Sequence, residues 1–390
     1  MANIIDYVRW RGDIPVEQVP LCEVDALILS YLSYMPFDGI VGDAPEGGGI
    51  PLAQAAMALL LANEQDGIDL AYSVRDDRML LPAVAASARF GGMRLVGYVN
   101  RYDRSREEQF SAVTFLAGDT AVIAYRGTDG TVVGWKEDFN MSFEEAVPAQ
   151  SDAVDYAQRV VAALGLPVML CGHSKGGNLA VYAATFSDDA TRGRVQIVYN
   201  FDGPGFNEKV IASPEFARAG AMVRTFVPQS SMVGIMFWHD GPFTIVKSDS
   251  VSIFQHNAYT WQVMGGHFVT VEERTSDSYF ADDTVKRWMA SLTPEKRKRA
   301  IDGIYAVLDV AKGRHVSNLF EVSNLLAMLR AAGAMDDQTR EAVEEFFRLL
   351  GTSAAGAVPD FLDRTADGLR QRVIRREAQR ALGGAEDEKK

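Results

Sequence analysis

Ser174 stands in Gly172-His173-Ser174-Lys175-Gly176, a G-x-S-x-G spacing. A serine hydroxyl is a poor nucleophile until a base takes its proton, and it must stand clear of the backbone to be reached. A tight turn between a strand and a helix exposes it. Side chains two residues before and two after would collide in such a turn, so both places go to glycine. Gly177 relieves crowding where the helix passes the strand. The spacing alone is common, so its surroundings decide. Val168, Met169, Leu170 and Cys171 form an apolar run into the turn, and no proline interrupts the residues that follow as far as Phe186. The stretch is therefore read as strand, elbow, helix, with Ser174 as nucleophile.

The base for such a serine is usually histidine, oriented by a carboxylate. In α/β-hydrolases the chain order is Ser, then Asp or Glu, then His. His173 adjoins the serine, but its side chain is expected to point into the packing of the turn. His239 and His267 fall in glycine-flanked loops, and His315 lies in a helical region. His256, in SIFQHNAYTW, follows the last predicted strand, where a late base belongs. The acid is a choice among three. Asp202, in YNFDGPGF, follows a strand and precedes a Gly-Pro-Gly turn; its bland role is to cap that turn. Asp240 and Asp249 come later, and a dyad without an acid is the fourth option. The end of the next strand, the more usual place, reads FVPQSSMVG and holds no carboxylate. Two N–H donors must face the developing oxyanion. One is expected from Lys175, directly after the nucleophile. The other is assigned to Thr128 in Tyr125-Arg126-Gly127-Thr128-Asp129, which ends a predicted strand. The rival reading of RGTDG is a plain hairpin turn.

These residues need a scaffold. Residues 1–21 are mixed and read as irregular. Val24, Leu27, Ile28, Tyr31, Leu32 and Met35 recur at helical spacing, and Pro36 ends that helix. Gly47–Gly49 make a loop, and Pro51 suits the first position of a helix over Leu52–Ala62. The pattern then alternates over Met93–Val99, Gln109–Leu116 and Thr120–Arg126, with Gly118-Asp119 as a hairpin turn. An amphipathic helix follows, with Ser151 as its N-cap. Further strands are expected at Val195–Asn200, Met222–Val227 and Phe243–Lys247. An antiparallel start followed by alternating strands and helices predicts an α/β fold with a mostly parallel sheet flanked by helices. Residues 1–275 are read as this domain, with 41–92 as a candidate cap or insertion. Residues 276–380 are read as a helical appendage and 381–390 as a disordered tail.

The chain has 390 residues, 47% hydrophobic, with a formal net charge of −13. The acidic balance argues against nucleic acid, which needs concentrated positive charge. Two cysteines, Cys22 and Cys171, form no disulfide framework or CxxC pattern, which fits a reducing compartment. Asp6, Arg9, Arg11 and Asp13 are unlike a signal peptide. The longest apolar run is too short for a bilayer. The expectation is a cytoplasmic protein with no cofactor and no metal. The arginines of 364–380 leave room for transient contact with a membrane surface or a partner, against the plainer reading of a solvated helix face.

AYRGTDGTVVGWKEDFN and GHSKGGNLA together resemble the lipase class 3 group of α/β-hydrolases, with its RG[ST] oxyanion segment, a following Trp and Asp, and a GHSxGG elbow. Trp135 and Asp138 match that later pair and are expected to be structural. The chain also resembles a bacterial family of lipase-like proteins that carries the GHSKGG, YRGTD, GWKEDF, FDGPGF and QHxxxxW segments; the last two stand here at Phe201–Phe206 and Gln255–Trp261. The N-terminal IIDYVRWRGD is similar as well. The resemblance covers about residues 1–270. It departs from class 3 lipases in the missing aspartate after the Met222–Val227 strand. It implies an ester hydrolase and leaves the substrate open; the expectation is a serine ester hydrolase acting on acyl esters, lipids or lysolipids among them. The rival readings are an inactive, hydrolase-like binding or scaffold protein, and an acyl-transfer or peptidase activity on the same triad. Oligomeric state and acyl-chain preference are not legible.

Overall fold

A computed structural model describes residues 1–66, 74–103, 105–106, 108–128, 137, 141, 146–276, 278–279 and 296. All of them fall within the compact unit Met1–Glu344. The expected appendage 276–380 lies outside the described residues except for 276, 278–279 and 296, and the tail 381–390 lies wholly outside them.

Contrary to the reading of 1–21 as irregular, the chain opens on helix α1, Ile4–Arg11. Asn3 accepts from the N–H of Asp6, and the Asp6 carboxylate accepts from the N–H of Asn3. This reciprocal capping box satisfies two helix-end donors at once. Helix α2, Glu23–Leu32, follows as expected. Strand β1, Ile50–Pro51, precedes helix α3, Leu52–Asp66. Pro51 thus belongs to a short edge strand, where its missing N–H costs no ladder bond. Helix α4 spans Val74–Ala86. The meander then runs through β2, Arg94–Asp103, β3, Glu108–Ala117, and β4, Thr120–Tyr125. Gly118 turns the last hairpin at φ +57°, a value glycine adopts freely.

Helix α5 begins at Pro148 rather than near Ser151 and runs to Leu164. Its first turn is satisfied by carboxylate and amide oxygens: Glu137 Oε1 accepts from the N–H of Ala149, and Gln150 Oε1 from that of Val147. Strand β5, Val168–His173, leads through Ser174 into helix α6, Lys175–Phe186. Strands β6, Val195–Phe201, β7, Val223–Pro228, and β8, Phe243–Val246, complete the sheet.

The eight strands lie in chain order, β1 to β8. Pairings from β1 to β4 are antiparallel and those from β4 to β8 parallel. Alternate residues of a strand face opposite sides. Val122 and Ala124 join the core cluster built by α1 to α4, including Leu52, Ala55, Leu80 and Val84. The neighbouring Tyr125 instead donates its hydroxyl to Ala153 O on α5, at 2.9 Å. Helices therefore cover both faces. A sheet of this kind collects its reactive groups at the carboxyl ends of the parallel strands. Ser174 follows β5, Asp202 follows β6, and Gly127 and Thr128 follow β4.

Candidate active site

Ser174 sits at φ 58°, ψ −134°. A non-glycine residue there is strained, by about 1–3 kcal/mol, and persists only where its surroundings over-determine it. They do so here. Its N–H donates to Phe201 O at 2.9 Å, and its carbonyl accepts from Gly177 N. Gly172 and Gly176 lie so close that a Cβ on Gly172 would run into the Gly176 backbone, and one on Gly176 into Tyr125 O. Lys175 is the first residue of α6, so its N–H has no partner inside the helix and lies at the positive end of the helix dipole. A Cβ on Gly127 would stand 2.6 Å from His173 O and 3.1 Å from Ser174 Cβ. The chain of Gly127 and Thr128 thus passes against the elbow.

His256 ends a 3-10 turn, Ser252–His256. Its Nδ1 lies 2.7 Å from Asp202 Oδ2. Asp202 is fully buried. An ionised carboxylate accepts only, so His256 carries its proton on Nδ1 and leaves Nε2 free to take another. The second carboxylate oxygen accepts from Ser231 Oγ at 2.5 Å and from Gly234 N at 3.1 Å. Both donors follow β7, in the segment where the sequence lacks a carboxylate. That strand end supplies support for an acid carried by β6. Asn178 fixes the Gly-Pro-Gly turn by donating to Pro204 O and Gly205 O, and Asn200 Oδ1 accepts from Gly203 N. Among the described residues no hydrogen bond reaches Ser174 Oγ; such contacts are often long in an empty site and tighten around substrate.

His173 is completely buried, and its ring is engaged away from solvent. Its Nε2–H donates to the carbonyl of His256 at 2.8 Å, and its Nδ1 lies 3.2 Å from Tyr34 Oη. The two imidazoles face each other with centroids 4.6 Å apart. Burial, reinforced by the neighbouring His256, holds His173 well below the ordinary histidine range, so it stays neutral. The His256 loop is held further by Ala258 N donating to Tyr31 Oη and by Tyr259 Oη donating to Asp77 on α4.

The other candidates lie elsewhere. His239 contacts Met236 O and packs on Phe243. His267 is exposed and pairs with Glu23. Asp240 is exposed, and Asp249 is engaged with Gln262 and the N-terminal amine. His315, Trp135 and Asp138 lie outside the described residues. Sequence reasoning missed Glu137, Ser231 and the supporting role of His173. Glu137 stands within the GWKEDF segment, one residue before Asp138, yet an acidic residue there reads as solvated. No described group of three or more His, Cys, Asp or Glu is placed to hold a metal ion, and no described helix is long and apolar enough to cross a membrane.

Strand order, strained elbow and carboxyl-end clustering define the class: this is an α/β-hydrolase fold. The chain belongs to the Mbeg1-like family, whose model matches residues 84–306, more than half of its length. No curated relative matches the chain. Among solved structures it is similar to a native Rhizomucor miehei lipase propeptide complex at 16% identity, with a TM-score of 0.31 over 40% of this chain and 57% of that one. It is similar to a fungal lipase–inhibitor complex at 14% identity, with a TM-score of 0.34 over 57% and 78% of the two chains. A Penicillium cyclopium MDLA variant is also similar, at 14% identity and a TM-score of 0.33 over 57% and 83%. The chain thus spans little more than half of the Rhizomucor protein.

Proposed function

We propose that this protein is a serine ester hydrolase. The observation that carries the reading is the 2.7 Å contact of His256 Nδ1 with a fully buried Asp202, in a chain whose Ser174 is held in a strained elbow. Ser174 Oγ attacks an acyl carbonyl while His256 Nε2 takes its proton. Asp202 holds the imidazole in the required tautomer and stabilises the imidazolium. The N–H groups of Lys175 and Thr128 receive the oxyanion. The intermediate collapses to an acyl-enzyme, and His256 protonates the departing alcohol. Water, deprotonated by His256, then releases the acid and restores the serine. His173 serves this cycle by staying neutral, because a second positive ring 4.6 Å away would oppose the imidazolium. The substrate class is acyl esters, with lipids and lysolipids favoured by the sequence resemblance alone. The inactive, scaffold-like reading rested on the empty acid position after β7; Ser231 and Gly234 account for that segment as donors to Asp202.

A fluorophosphonate probe tests the proposal. Wild type is labelled, and Ser174→Ala loses labelling and at least about 10⁴-fold in ester turnover. An unlabelled wild type, or a Ser174→Ala variant labelled equally, refutes it.

A further inference from the structure

The residue after the nucleophile is a lysine whose side chain is wholly buried, a place where an apolar residue would cost nothing to desolvate. Its ammonium donates to Gln109 O at 2.6 Å and to Glu137 Oε2 at 2.5 Å. Glu137 is equally buried. Its carboxylate also accepts from the N–H of Gln109 at 3.0 Å and of Ala149 at 2.9 Å. One carboxylate therefore ties the start of β3, the start of α5 and the first residue of α6. Ser111, two residues further along β3, accepts from the N–H of Arg126 at 2.9 Å, so the same strand holds the chain that enters Gly127 and Thr128.

The two proposed oxyanion donors come from separate segments, one after β4 and one after β5. An oxyanion hole works only if both donors are fixed relative to each other before charge develops. We propose that the buried Lys175–Glu137 pair is the positioning element that straps these two segments together, so that the Lys175 and Thr128 amides converge on one point. Lys175 then has two separate parts: its backbone N–H faces the substrate, while its side chain anchors that N–H from below. Arginine would not substitute, since its planar fork cannot act as the compact point charge that meets Gln109 O and Glu137 together. The inference rests on the hydrolase reading above.

The test compares Glu137→Gln, Lys175→Met and the double variant with wild type. Readouts are melting temperature, kcat and KM on a short p-nitrophenyl ester, and inhibition by an alkyl boronic acid, which forms a tetrahedral adduct on serine. The expected result is a fall in kcat of about 10- to 100-fold with KM within about 2-fold, less than the loss of a whole donor. Boronate affinity should weaken by the same factor. Should the single variants not fold, the double variant removes the uncompensated buried charge and is expected to fold while kcat stays low. Recovery of both stability and kcat in the double variant overturns the proposal. So does a folded single variant with unchanged kcat, or a kcat loss that boronate affinity does not follow. Failure of all three to fold makes the pair a fold determinant and likewise overturns the positioning role. A wild type that resists fluorophosphonate fails the hydrolase reading itself; a labelled wild type whose variants label equally fast fails only the strap.

Discussion

Among the described residues two ion pairs are buried without any solvent access, Arg89–Asp25 and Lys175–Glu137. The first lies among the N-terminal helices. Arg89 grips Asp25 with Nε and Nη2 and also donates to the carbonyls of Ile14, Val19 and Pro20. Tyr7 Oη and Cys22 N complete the carboxylate's shell. This is the planar fork used to close a loop: every contact of the pair ends within the N-terminal segments, and none ends on the elbow itself. Burial, with Asp25 close by, pushes the Cys22 thiol up to about 11, so it stays protonated and inert. The second pair uses a point charge and ends on the residue next to Ser174. Equal burial and similar bond lengths thus accompany different duties, and what separates them is where the partners lead.

Three experiments press on this contrast. The largest effect is expected at the buried carboxylate that contacts the proposed base. Asp202→Asn should cut kcat by about 10³- to 10⁴-fold by admitting the wrong histidine tautomer, with a stable fold seen by circular dichroism. Retained turnover, or an equal loss in Asp240→Asn or Asp249→Asn, would move the acid elsewhere. Next comes Asp25→Asn. It strands a buried guanidinium and should cost about 3–5 kcal/mol in urea unfolding, while turnover per folded molecule stays at the wild-type value. A loss of kcat beyond the folded fraction would erase the distinction between the two pairs. The smallest effect concerns pH. Burial, then a hydrogen bond and like charge from Asp152, with Glu137 adding to them against Arg106, raise Glu108 to about 7. A carboxyl raised in the folded state contributes stability fully below the ordinary glutamate range and loses it as pH rises toward 7. The melting temperature should therefore slope downward across that window, and Glu108→Gln should flatten the slope. An unchanged slope would remove Glu108 from the account.

The elbow was legible because glycine at fixed spacing is a steric necessity written in residue types. His256 was singled out from its place after the last predicted strand, and the structure sets its Nδ1 against Asp202. Asp202 stayed one of three, because its claim depends on Ser231 and Gly234 arriving from another strand. Ser151 was misjudged as a cap for a similar reason: one of the two oxygens serving that helix end comes from Glu137, outside the helix. Helix α1 was overlooked although Asn3 and Asp6 carry its start signal. Glu137 gave no warning, since burial of an acidic side chain is decided by partners 28 and 38 residues away in the chain.

Ser174 carries one more consequence of its φ of 58°. Glycine alone enters that region without penalty. Selection for heat resistance and nothing else would favour relief of that strain by glycine at 174, at the expense of the proposed nucleophile. On the proposed reading, a thermal screen with no activity step would therefore enrich inert clones at this position.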